Sequence, residues 1–166
     1  LVVGCAGDQL VPLEEIHPLG RREQATADGL VRVDDHRGGA LYVRPDHGIS
    51  GHHGFYLNQI VITYDSESNR LSEQQQAELV QHVQDTWIAA MIHSGSVMVT
   101  GPGRCVLNIG VGLVDLDFYE PESVTTSSTG LLANWGGVTF VIDVRDSLTG
   151  RPLLRSGRRK AFPGGI

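Results

Sequence analysis

A chain of 166 residues is of the size that one hydrophobic core serves, so a single domain is the expectation. Hydrophobic residues make up 40% of it and the mean hydropathy is −0.08, which fits a globular body with an ordinary polar surface. The formal charge of −6 argues against a nucleic-acid binder, which would present a basic face. No run approaches the roughly eighteen apolar residues that read as a membrane-spanning helix.

The first residues are LVVGC. A short apolar run, a small residue and then cysteine resemble a bacterial lipobox, in which Cys5 becomes the lipidated first residue of the mature protein. On that reading residues 1–4 are the remnant of a signal peptide, whose full form has a basic region and an apolar core of about 7–15 residues. A buried first strand, LVVGCA, is the competing reading. Ala6 after the cysteine, where no Asp stands, implies by analogy with known lipoproteins the outer membrane, with the chain facing the periplasm. If Cys5 carries lipid, Cys105 is expected as a small core residue on a strand; if Cys5 is free, a Cys5–Cys105 bridge stays open. Two prolines, scattered charges and little periodicity follow, so residues 5–28 read as the lipid-anchor cysteine and a flexible tether.

Residues 29–166 read as the single domain. LVRV and ALYVRP are two short strands joined across DDHRGG, with Pro45 ending the second. The glycine-rich stretch DHGISGHHG then places His47, His52 and His53 near Asp46, with His36 upstream. Zinc needs three or four ligands held by fixed partners, and no helix or knuckle spacing enforces that here. Neighbouring side chains in extended backbone also point to opposite sides. These four histidines therefore read as solvated loop residues, and no metal or other cofactor is expected. They are nonetheless the residues that an alternative reading, a metal-dependent or hydrolytic enzyme, would use.

LNQIVITY (57–64) is a strand by its β-branched and aromatic content. The stretch SEQQQAELVQHVQDTWIAAMIHSG then carries the helix period. Ser72 with Gln75 is a capping-box pattern, and Gly95 suits a left-handed C-cap. Val80, Val83, Trp87 and Met91 make one apolar stripe, which Leu79, Ile88 and Ala90 widen to the roughly 100° face of a core helix. SVMVT is a short strand, and GPGR a turn.

Cys105 to Phe118 is a long strand with an internal change of phase. Leu107, Ile109, Val111 and Leu113 are apolar at odd positions, after which Val114, Leu116 and Phe118 take the even ones. Because strand side chains alternate strictly, the flip predicts a β-bulge near Leu113–Val114. A polar Ser/Thr-rich loop follows to Asn134. Val138, Phe140, Ile142 and Val144 alternate with Thr139, Asp143 and Arg145, which predicts a half-buried strand. DSLTG turns the chain, and RPLLRSGR returns as an edge strand guarded by Pro152 and charges. Of the thirteen Lys and Arg residues, Arg151, Arg155, Arg158, Arg159 and Lys160 fall near the end. A solvated hairpin explains them; a contact of Arg155, Arg158, Arg159 and Lys160 with acidic lipid headgroups or an acidic partner is the functional reading.

The expected fold is α+β: one largely antiparallel twisted sheet of about five strands, with one long helix (residues 73–93) packed across a face. The motifs GLVRVDDHRGGALYVRP, LNQIVI, GPGRCVLNIGVGLVDL and RDSLTGRPL resemble bacterial envelope lipoproteins of the domain-of-unknown-function 3313 type, over roughly residues 29–155. The resemblance implies a lipid anchor and no established activity. It also implies a fold similar to small α/β domains of envelope-assembly lipoproteins and to the periplasmic N-terminal domain of the Tol system. Members usually continue past the DSLTG hairpin into another helix, where this sequence ends in AFPGGI; a fragment, or a less covered sheet face that favours a partner or self-association, is the expectation.

Catalytic patterns are absent from the letters. His93-Ser94-Gly95-Ser96 is no G-x-S-x-G elbow, and GPGR lacks the Lys-Ser/Thr of a phosphate loop. Asp115 and Asp117 alternate on one side of a strand but are expected to face solvent. The sequence thus predicts a lipid-anchored cell-envelope protein that acts by binding or assembly. Its expected partners are the membrane and an envelope protein or a second copy.

Overall fold

A computed structural model describes residues 24–33, 39–65, 70–118 and 135–161. The described elements run β1 (Val31–Val33), β2 (Ala40–Val43), β3 (Gly54–Tyr64), α1 (Glu73–His93), β4 (Val97–Met98), β5 (Val106–Phe118), β6 (Trp135–Asp146) and β7 (Pro152–Ala161). Seven strands make one sheet, in the order β1-β2-β7-β6-β5-β3-β4. The α+β class is as the sequence predicts, whereas the strand count is higher and the sheet is mixed. Its mixed character follows from α1. The helix carries the chain back along one face, so β4 and β5 both start from the end where β3 started and run parallel to it. All other neighbouring strands are antiparallel.

Helix α1 has the predicted bounds because both ends are locally encoded. The Ser72 hydroxyl accepts from Gln75 N–H at 3.3 Å and the Gln75 side chain accepts from Ser72 N–H at 2.9 Å. At the other end Gly95, with φ 88°, lets Ser96 N–H reach Met91 O and Gly95 N–H reach Ile92 O, a Schellman closure. Leu79 and Val83 pack with Leu113, Leu116 and Val138; Val83, Trp87 and Met91 pack with Phe55, Ile109 and Val111. Ala90, expected to widen the stripe, is exposed.

The phase change in β5 is a bulge, with the β5–β6 register slipping between Val114 and Asp117. Asp115 takes a left-handed φ of 51° there, and its N–H donates to Thr63 Oγ1 at 3.3 Å. The extra residue brings Leu113 and Leu116 onto one face, in the same cluster beneath the helix.

Three expectations are corrected. Strand β7 is interior, between β6 and β2, because Leu154–Gly157 pair with Ala40–Val43 from far up the chain. Pro152 is tolerated there as the strand's first residue. Strand β6 is buried on both faces, since Val138 and Val144 but also Thr139, Val141 and Asp143 are buried. Cys105 is an exposed free thiol with φ 56°, in the turn before β5, and not a core residue.

Candidate functional site

The strongest concentration of charge lies inside the sheet. Register places Tyr42, Arg155 and Asp143 side by side on β2, β7 and β6. Arg155 is 2% exposed and Asp28, from the segment before β1, is 0% exposed. The Arg155 guanidinium donates from Nη2 to Asp28 Oδ2 at 2.7 Å and from Nε to Asp143 Oδ1 at 3.0 Å. Arg145 Nε donates to the other Asp143 oxygen, and Thr26 Oγ1 donates to Asp28 Oδ1 at 2.6 Å. Arg44 fastens the same segment, its Nη2 donating to Asp28 O at 2.5 Å and its Nε to Pro152 O at 2.6 Å. Gly29 makes this possible twice over. Its φ is 87°, and a Cβ there would lie 3.0 Å from Arg44 Nη1.

Residues 24–28, assigned by the sequence to the tether, are therefore part of the folded body. Burial alone would raise the Asp28 carboxyl, but hydrogen bonds from Arg155 and Thr26 and the Arg155 charge outweigh it and hold it below 3.8. Burial alone would lower the Arg155 guanidinium, and Asp28 with Asp143 outweighs it, so its value rises. The Arg155 and Arg145 guanidiniums together balance the Asp28 and Asp143 carboxylates, and this arrangement clamps the entry segment to the sheet.

The sign of the pH dependence follows. A carboxyl lowered in the folded state contributes stability that is complete above its ordinary value and lost as pH falls through the lowered one. Asp146 acts with the same sign. Burial would raise it, but hydrogen bonds from Thr149, His52 and Leu148 N–H bring it below 3.8. The native chain is expected to lose stability from about pH 5 downward. Asp28→Asn, less stable at neutral pH, is expected to lose less over that interval. Urea midpoints at several pH values check this, and parallel losses in the two proteins would contradict it.

The histidine stretch does not converge. A short 3₁₀ turn, Ile49–Gly51, separates its members. His47 Nδ1 accepts from Ile49 N–H at 3.0 Å. The His52 ring lies between Asp146 Oδ2 at 3.3 Å and Gly48 O at 3.2 Å, linking the loop to the β6–β7 turn. His53 is exposed and engaged through its backbone, its N–H donating to Cys105 O. Asp46 pairs with Arg151 at 2.6 Å. Among the described residues no three His, Cys, Asp or Glu side chains gather as a metal site would require. His36 and Cys5 lie outside the described residues.

The predicted basic contact divides. Arg155, expected to meet headgroups or a partner, is instead buried in the ion-pair cluster, because β7 is interior and Asp143 and Asp28 flank it. Arg158, Arg159 and Lys160 are exposed. Strand alternation puts Arg158 and Lys160 on one face, opposite Phe140 and Val138, and Arg159 on the other, opposite Thr139.

The cluster is not among the expectations from sequence, although a signal is present. Asp143 and Arg155 each interrupt an apolar strand run, FVIDV and PLLRS, and a charge in the middle of such a run needs a partner.

No family model, no curated protein and no solved structure matches this chain.

Proposed function

We propose that the chain is a lipid-anchored protein of the bacterial cell envelope that acts by binding or assembly rather than by catalysis. The observation that carries this reading is LVVGC ahead of a polar spacer, with Cys5 as the acylated residue. The motif likeness agrees with it. Among the described residues no helix is long and apolar enough to cross a membrane, so a lipid would supply the attachment that α1 does not. The most buried charged groups, Asp28, Asp143 and Arg155, bind one another, which suits a scaffold.

The test is intact mass and membrane fractionation of the full-length gene product expressed in a bacterium. A mature chain starting at Cys5, with added acyl mass and in the membrane fraction, is the expected result; Cys5→Ser is expected to move it to the soluble fraction. A soluble, unmodified product that keeps Leu1–Gly4, or a Cys5→Ser protein still in the membrane, would overturn the anchoring.

A further inference from the structure

The two edges of the sheet are protected very differently. At one edge, β1 carries Arg32, and backbone from the preceding segment covers it: Arg32 N–H donates to Gln24 O at 2.9 Å, and Ala25 bridges to Val31. At the other edge, β4 pairs with β3 only at Gly54 and Phe55. Beyond Phe55, β3 has β5 on one side and, among the described residues, no strand on the other. The whole of β3, GFYLNQIVITY, contains no acid, lysine, arginine, histidine or proline. Edge strands normally carry such residues to block pairing with another chain. This one has the composition that invites it.

The backbone geometry defines which groups are offered. In the first part of β3 the odd residues point outward, since Val97 N–H donates to His53 O and Val99 N–H to Phe55 O. The register then slips between Leu57 and Gln59, and the extra residue reverses the phase. Asp65 N–H donates to Leu116 O, on the β5 side. By strand alternation the outward-pointing peptide groups are those of Ile60, Ile62 and Tyr64.

We propose that this edge pairs, antiparallel, with the same edge of a second copy, about a two-fold axis at Val61. The inference names the partner within the assembly reading and rests on that reading for its biological role. Two-fold pairing must set outward-pointing residues opposite one another. An axis at Val61 does so, placing Ile60 against the partner's Ile62 in hydrogen-bonded pairs and Val61 against the partner's Val61 in the close pair between them. It matches apolar with apolar and sets Gln59 against the partner's Thr63. An axis one residue further on, at Ile62, would set Val61 against the partner's Thr63 and bring Asp65 opposite the partner's Gln59. Charge selects the same surface. Two copies each carrying −6 repel generally, and an uncharged strand is where they approach at least cost. On the β4 side Ile92, Val97 and Met98 are also exposed.

The test uses the full chain with Cys5→Ser and Cys105→Ser, which leaves no lipid and no other thiol. Sedimentation velocity over a concentration series is expected to show the 18.0 kDa chain doubling its mass. Adding Val61→Cys is expected to give a covalent dimer on oxidation, because the close pair holds Cα atoms about 4.5 Å apart, within disulfide reach. Adding Gln59→Cys instead is expected to leave the chain uncross-linked, since the two copies of that residue lie on opposite sides of the axis. A monomer at every concentration, or Gln59→Cys cross-linking as readily as Val61→Cys, would overturn the proposal. Neither outcome bears on acylation at Cys5, which is read by mass.

Discussion

Arg155→Ala is expected to destabilise the fold by about 3–5 kcal/mol, the usual result of removing one partner from a buried charge cluster. In a domain of this size that is a fall in Tm of roughly 6–20 °C. The loss comes less from the missing attraction than from what is left behind. Asp28 is 0% exposed and Asp143 4%, and without the guanidinium the Asp28 carboxylate keeps, among the described residues, Thr26 as its side-chain partner. The segment from Gln24 to Leu30, held through Asp28, is expected to loosen first. Arg158→Ala, three residues along the same strand but exposed, is the control and should stay within about 0.5 kcal/mol. Urea midpoints of the two variants decide the matter; equal shifts would mean that the cluster contributes no more than a surface charge. Replacing Arg155, Asp28 and Asp143 together by apolar residues is expected to recover much of the loss, because neither buried carboxylate is then left without the guanidinium.

Leu79→Ala is expected to cost about 2–5 kcal/mol, through lost burial and the cavity left behind. Leu79 is the buried residue of α1, 2% exposed, and it meets Leu113 and Leu116 where the β5 bulge brings both to the helix side. The higher helix propensity of alanine offsets only a few tenths of a kcal/mol. Ile92→Ala, at a residue 54% exposed, should change stability little. Thermal denaturation of the two variants gives the comparison, and similar midpoints would show that α1 is not anchored at Leu79.

The elements legible in the sequence are those whose determinants lie close together along the chain. Helix α1 was readable to its ends because the capping box spans Ser72 to Gln75 and the closure lies within Met91 to Ser96. The bulge was readable because a change of apolar phase between Leu113 and Leu116 needs only a few residues to be seen. Strand β7 was misjudged for the opposite reason. Pro152 and its arginines look like edge protection, and only pairing with Ala40–Val43 reveals an interior strand. Cys105 was misjudged because an apolar strand follows it at once, while its own φ of 56° belongs to the turn.

The candidate site divides along the same line. The histidine loop was visible as letters, yet its side chains turn to separate partners: His47 to Ile49, His52 to Asp146 and Gly48. The ion-pair cluster was invisible as a cluster, since Arg155 and Asp28 are 127 positions apart. The open edge of β3 is intermediate. Its uncharged run is plain in the sequence, but that it forms an edge depends on β4 stopping at Phe55.

By itself, then, the sequence determined the helix, its caps and its apolar phase, the strand segments and the bulge, all of which are products of short-range backbone preference and of periods of 2 and 3.6 residues. The tertiary structure decided the strand order, the burial of Arg155 and which strand edge stands open. Those depend on which distant segments pair; a charge inside an apolar run, as at Asp143 and Arg155, marks the need for a partner, but nothing local says which segment supplies it.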